Sequence, residues 1–217
     1  MENSAYKSYT TVKEFDEPVI CPHCAAENYP KLTVRIDARD TKIVKKLLDR
    51  TLFEFKCKKC KQKYIIDNCF EFVDEENSVD IHCTMDPKHV NEFVVALSEN
   101  RTTVYDQKFR FTRVVATFEE FREKHAILTN GLDDRILEFI KLDIRENRAS
   151  ECGKIKSVIC GSINDKRIPI RVVGEKRAKV FYIPFEEYDE FKSRYAHWLN
   201  NYKPVIIDAS WAIDHAD

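Results

Sequence analysis

Apolar positions change period along the chain, and the changes mark the elements. Tyr29–Ile36 (YPKLTVRI) is rich in β-formers with partial alternation and predicts a strand. Ile43, Val44, Leu47 and Leu48 then recur at helical spacing behind Asp40 or Thr41, either of which can cap a short helix. Leu52, Phe53 and Phe55 predict a strand, and Tyr64–Ile66 the chain's return. Cys69–Val73 and Val79–Thr84 predict a hairpin. If its turn has three residues, Cys69 faces Cys83.

Asp86-Pro87 is a helix start, with Val90, Phe93, Val94 and Leu97 forming one apolar face. Val104–Val115 predicts one long strand or two. Thr117-x-x-Glu120 has the form of a capping box for a helix through Leu128. Beyond Gly131, Asp133 and Asp134 suit the N-terminus of a second helix, whose buried side is Ile136, Leu137, Phe139, Ile140 and Ile144. Three strands follow (Ile155–Ile159, Ile168–Val173, Lys179–Ile183), then a helix from Phe185 to Leu199 and a closing strand at Val205–Ile207.

The pattern is α+β: an N-terminal part with antiparallel strands and helices, then a small β-meander plus helix domain. The polar stretch Asn147–Gly153 sets the boundary, giving a loose arm over 1–18, an α+β domain over 19–147 and an accessory domain over 148–217.

Charge narrows the functional classes. With 36 basic and 37 acidic residues, no global field draws the chain to nucleic acid or an anionic membrane. The opening MENSAYKSYTTVKEFDE lacks the basic start and apolar core of a secretory leader, and no apolar run approaches the roughly 20 residues of a membrane span. A cytoplasmic location is therefore expected, where thiols stay reduced.

Four of the eight cysteines form two C-x-x-C units, Cys21-Pro22-His23-Cys24 and Cys57-Lys58-Lys59-Cys60. A two-residue gap aims both sulfurs of one tight turn at a single ion, and two such turns complete a tetrahedral S₄ shell suited to zinc or iron. The competing readings are reduced core thiols or a redox pair, though neither unit opens an evident helix. Ala25 and Lys61 stand where such knuckles commonly have glycine. His23 is expected to be exposed.

These motifs carry a family resemblance. ICPHC, the helix-bearing insert, FKCKKC and the later RVVATFEEFREKHAILTNGLDDRILEFIK resemble the bacterial and archaeal CpXC proteins over roughly residues 19–145. Paired C-P-x-C motifs and a downstream EK…GLDDR…E…K segment mark that family. The second motif departs from the pattern in lacking proline, but keeps both sulfurs. The resemblance implies a zinc-ribbon-like domain and no particular activity.

The resulting expectation is one structural zinc ion on Cys21, Cys24, Cys57 and Cys60, in a non-enzymatic protein whose domain binds a partner protein. The alternative is a nucleic-acid-binding regulator using Lys58, Lys59, Lys61 and Lys63, with Tyr64 adding stacking. An enzyme stands last, since no His-Glu-x-x-His, phosphate loop or nucleophile elbow occurs. Against a second metal site on Cys69, His82 and Cys83, small buried thiols are the plainer reading, as they are for Cys152 and Cys160. Glu123, His125, Asp133, Asp134 and Glu138 are expected to cap helices and face solvent, with Arg135 pairing to Glu138.

Overall fold

The computed structural model describes residues 10–99, 109–164, 167–201 and 204–216. The chain forms two compact units. One comprises Met1–Arg110 with Val114–Phe118, the other Phe111–Arg113 with Glu119–Asp217.

The first unit is built on a five-stranded sheet in the order β1-β4-β7-β8-β9. Its members are β1 (Thr11–Glu14), β4 (Lys31–Asp37), β7 (Phe70–Asp74), β8 (Val79–Cys83) and β9 (Phe111–Val115), the last divided between the units. β1 runs antiparallel to β4, β4 parallel to β7, and β7 antiparallel to β8. A parallel pair requires a crossover. The β4–β7 crossover holds helix α1 (Thr41–Leu48) and a small hairpin, β5 (Glu54–Lys56) with β6 (Lys63–Ile65). A matching hairpin, β2 (Val19–Ile20) with β3 (Glu27–Asn28), sits in the β1–β4 connection. Both cysteine pairs thus project from connections flanking β4.

Alternation gives the sheet two unlike faces. Phe70, Phe72, Val79, Ile81 and Ile36 are buried on one, with Leu47, Phe53 and Phe118 also in the core. Phe53 lies 5.5 Å from Phe70 and edge-on to Phe118 at 6.1 Å. The other face carries Arg35, Glu71, Asp80 and His82.

Two local expectations change here. Thr11–Glu14, expected to be a loose arm, pairs with β4 and joins Lys31 to Glu14 at 2.5 Å. The β7–β8 hairpin pairs Phe70, not Cys69, with Cys83. Its loop has four residues because Asp74 accepts the Asn77 backbone N–H at 3.0 Å, and Ser78 takes a left-handed turn (φ 57°). Of the predicted Val104–Val115 strand, 111–115 form β9 and 104–108 lie outside the described residues. Asp40 does cap α1, and Asp86 caps the 3-10 turn leading into α2 (Val90–Glu99).

The second unit centres on α4 (Asp134–Asp143), preceded by α3 (Phe118–Leu128). Every residue of α4 from Asp134 to Lys141 is buried. The meander β10 (Ile155–Cys160), β11 (Arg167–Gly174) and β12 (Ala178–Pro184) follows, all antiparallel, then α5 (Phe185–Arg194). The expected 185–199 helix breaks at Tyr195, whose ring stacks on Phe139 at 3.8 Å, and resumes as α6 (Ala196–Asn201). Val205 and Ile207 are buried without forming the expected strand. They lead instead into α7 (Ala209–Asp214), which Asp208 caps through the Trp211 N–H at 2.9 Å.

The polar stretch at 147–153 does not divide these units. Glu123 on α3 accepts the backbone N–H of Cys160 at 2.6 Å, and Arg148 pairs with Asp143 and Glu187, so α3, α4 and the meander share one unit.

Candidate metal centre

Each C-x-x-C unit is a knuckle at the tip of a two-stranded hairpin, and the two are built alike. In the first, Cys21 N–H donates to Ala26 O at 2.9 Å and Ala25 N–H to Cys21 O at 2.9 Å. In the second, Cys57 N–H donates to Gln62 O at 3.0 Å and Lys61 N–H to Cys57 O at 3.1 Å. Ala25 (φ 55°) and Lys61 (φ 64°) both adopt the left-handed conformation that glycine takes without a Cβ penalty. The missing glycines therefore leave the turn geometry intact and add strain.

The knuckles face each other across the sulfurs. Cys21 Sγ lies 3.7 Å from Cys60 Sγ, and Cys24 Sγ 3.8 Å from Cys57 Sγ. All four sulfurs fall within 4.8 Å of one another and could hold one metal ion. A tetrahedron with metal–sulfur bonds of about 2.3 Å has edges of about 3.8 Å, so the donor set fits such an ion. Distances this long exclude disulfides, and all four cysteines are free. Neither pair opens a helix, as a redox C-x-x-C usually does.

The surroundings favour thiolate unevenly. The Cys60 backbone N–H, aimed at the Cys57 sulfur, lowers that thiol to about 6 despite burial. Cys60 is pushed up to about 12: the Gln62 N–H opposes the shift, but burial and the neighbouring sulfurs outweigh it. Burial first, then the four sulfurs, raises Tyr64.

One supporting residue escaped sequence reasoning. Asn28, on the strand leaving the first knuckle, is only 1% exposed. Its Nδ2 donates to Ala26 O at 2.9 Å and lies 3.7 Å from Cys57 Sγ, while its Oδ1 accepts the Lys58 N–H at 3.1 Å. No periodicity or spacing marked it; only the meeting of the hairpins gives it a role.

The remaining candidates fall as follows. His23 is exposed, as expected. Lys58, Lys59, Lys61 and Lys63 are exposed too. Lys63 pairs with Glu54 at 2.8 Å, and Lys61 Nζ donates to Lys58 O at 2.6 Å. Carboxylates after the knuckle turn elsewhere: Asp67 pairs with Arg50, Glu71 with Arg35 and Glu75 with Arg39. Tyr64 is not a free stacking platform, since its ring meets Phe55 at 5.6 Å.

Cys69, His82 and Cys83 do not converge. Cys69 Sγ donates to Thr84 O at 3.0 Å, Cys83 Sγ lies 3.4 Å from Met85 Sδ, and His82 turns to Asp80. The four-residue loop and strand alternation separate them. Cys152 and Cys160 are buried, and desolvation pushes the Cys160 thiol up to about 12.

The acidic residues on α3 and α4 correct an expectation. Glu123, Asp134 and Glu138 are buried rather than solvent-facing, and each meets a buried cation. Arg113 holds Asp134 at 2.6 Å, Lys124 reaches Asp134 and Glu138 at 3.1 Å each, and Lys141 reaches Glu123 and Glu138. Asp133 does cap α4, and it is Asp133, not Glu138, that pairs with Arg135, at 2.7 Å. His125 is half-buried beside Phe121.

The fold and the sulfur cluster define an α+β protein with a zinc-ribbon-like Cys₄ site. A family model described as CpXC protein matches residues 19–141, more than half the chain, and the chain belongs to the CpXC family. No curated protein and no solved structure matches it. The match takes in both knuckles and the charged residues of α3 and of α4 as far as Lys141. Among the described residues no helix is long and apolar enough to cross a membrane.

Proposed function

We propose that Cys21, Cys24, Cys57 and Cys60 hold one structural zinc ion, and that the domain so stabilised binds a partner protein. The sulfur tetrahedron, with its 3.7 and 3.8 Å edges, carries this reading. Each knuckle hairpin is only two or three residues long per strand and too small to persist alone. A structural zinc shell contributes on the order of 10 kcal/mol to folding, enough to hold both. Exposed Ile20, Tyr29 and Ile65 on or beside these hairpins support the protein-binding part.

Elemental analysis tests the metal. The reading expects one thiol-held zinc per chain, lost in Cys57→Ser together with cooperative melting of residues 19–66. Iron in place of zinc, or a variant with unchanged metal content and melting, counts against it. For the surface, Ile20→Asp with Ile65→Asp should retain zinc and lose partner capture.

A nucleic-acid role is the second reading. It draws on Lys58 and Lys59, which are exposed and have no carboxylate partner among the described residues. It requires binding at low salt that weakens steeply with added salt and on neutralising Lys58, Lys59 and Lys61.

A further inference from the structure

The polar face of the five-stranded sheet brings a second set of metal-ligating groups together. Glu71 stands directly opposite His82 in the β7–β8 ladder, and Asp80, two residues before His82, shares that face. One donor atom from each of the three lies within 4.8 Å of the other two. Asp80 is completely buried, and His82 is 8% exposed beneath the Phe93 ring at 4.9 Å.

The carboxylate of Asp80 is only half satisfied. Its Oδ2 lies 3.1 Å from His82 Nε2, but its Oδ1 is buried with no hydrogen-bond partner. Among the described residues His82 is its one ion-pair partner. A buried carboxylate oxygen without a donor is strongly disfavoured unless a cation meets it.

Arg35 is not that cation. Its Nη1 is committed to Glu71, at 2.6 Å from Oε1 and 2.5 Å from Oε2. Each carboxylate oxygen keeps a second lone pair, so Arg35 orients Glu71 as an outer partner without exhausting it. In the second unit Glu138 Oε2 also lacks a hydrogen bond, but its carboxylate faces Lys124 and Lys141, as Asp134 faces Arg113 and Glu123 faces Lys141.

We propose that Glu71, Asp80 and His82 form a second metal site, taking zinc through two carboxylates and one imidazole. Two ligand atoms bound tetrahedrally to one ion at about 2.0–2.2 Å stand roughly 3.3–3.6 Å apart; His82 Nε2 and Asp80 Oδ2, at 3.1 Å, need to part by only a few tenths of an ångström to admit it, and all three donor atoms already lie within 4.8 Å of one another. Three protein ligands leave a coordination position for water. The site is independent of the cysteine cluster and holds no sulfur.

Zinc content of the folded, full-length chain separates the two sites. Zinc-saturated wild-type protein should carry one more zinc per chain than Asp80→Asn or His82→Gln. Should Asp80→Asn not fold, His82→Gln still gives the answer, and near-ultraviolet circular dichroism checks that it is native. Equal zinc content in the wild type and a folded variant overturns the proposal. An excess of one zinc over a folded variant that itself holds none bears on the cysteine site and leaves this one standing.

Discussion

Asn28 Oδ1 accepts the backbone N–H of Lys58 at 3.1 Å, so one side chain from the first hairpin fastens the second. The amide nitrogen of the same side chain holds Ala26 O and reaches the Cys57 sulfur. Removing such an outer partner commonly costs 10–100-fold in metal affinity. Asn28→Ala should therefore weaken zinc retention against a competing chelator by about 10–100-fold, while Cys24→Ser removes the thiol-held ion outright. An Asn28→Ala chain that retains zinc as tightly as wild type would refute a supporting role.

Strain at Ala25 and Lys61 gives a prediction of opposite sign. A left-handed residue with a Cβ costs roughly 1–2 kcal/mol relative to an unstrained one, while glycine loses about 0.5–1 kcal/mol through unfolded-state entropy. Ala25→Gly should stabilise the chain by up to about 1 kcal/mol. Lys61→Gly should gain less, because it also loses the Lys61 Nζ to Lys58 O bond. Thermal unfolding of the zinc-loaded chain measures both. A lowered melting temperature in Ala25→Gly contradicts the strain argument.

Much of this site was legible before any coordinates. C-x-x-C spacing is short-range chemistry, and two such turns have few uses, so Cys21, Cys24, Cys57 and Cys60 stood out. Caps were legible for the same reason: Asp40, Asp86 and Asp133 act on backbone two or three residues away. What failed was whatever depended on distant partners. Asn28 has meaning only against Lys58, thirty residues on. Glu123, Asp134 and Glu138 read as surface because charged residues are almost never fully buried unless paired, and their partners lie as far off as Arg113. The hairpin register slipped by one because Asp74 and Ser78 make a four-residue loop that composition alone left undecided.

Close packing makes Gly174 a sharp test of the second unit. A Cβ built there would stand 2.2 Å from Cys152 O, an atom that backbone holds in place. Gly174→Ala should destabilise this unit by at least ~1–3 kcal/mol, the usual range for overpacking. Gly131→Ala should cost less, since nothing lies within 4 Å of its Cβ position and only its φ of 73° opposes the change. Comparing their denaturation midpoints checks the order, and equal midpoints would argue against the close approach.

The ion network of α3 and α4 sets how stability should vary with pH. Desolvation works against the Asp134 charge, but Arg113 and Lys124 outweigh it and hold the carboxyl well below the usual range. Desolvation likewise opposes the charges of Lys124 and Lys141, yet Asp134 and Glu138 with Glu123 for the first, and Glu138 with Glu123 for the second, raise both amines. A depressed folded carboxyl stabilises fully above its unfolded value of about 3.9 and loses that contribution as pH falls through the folded value. A raised folded amine stabilises fully below its unfolded value of about 10.4 and loses that contribution as pH rises through the folded value. The network should therefore contribute evenly between about pH 4 and 10 and fail only outside it. Asp134→Ala leaves Arg113 and Lys124 short of a buried counter-charge, at an expected cost of about 3–5 kcal/mol. The variant should also lose the steep acid limb of the wild-type stability curve. Denaturation of both chains across pH 3–7 decides it: parallel curves would mean that Asp134 does not set the acid limit.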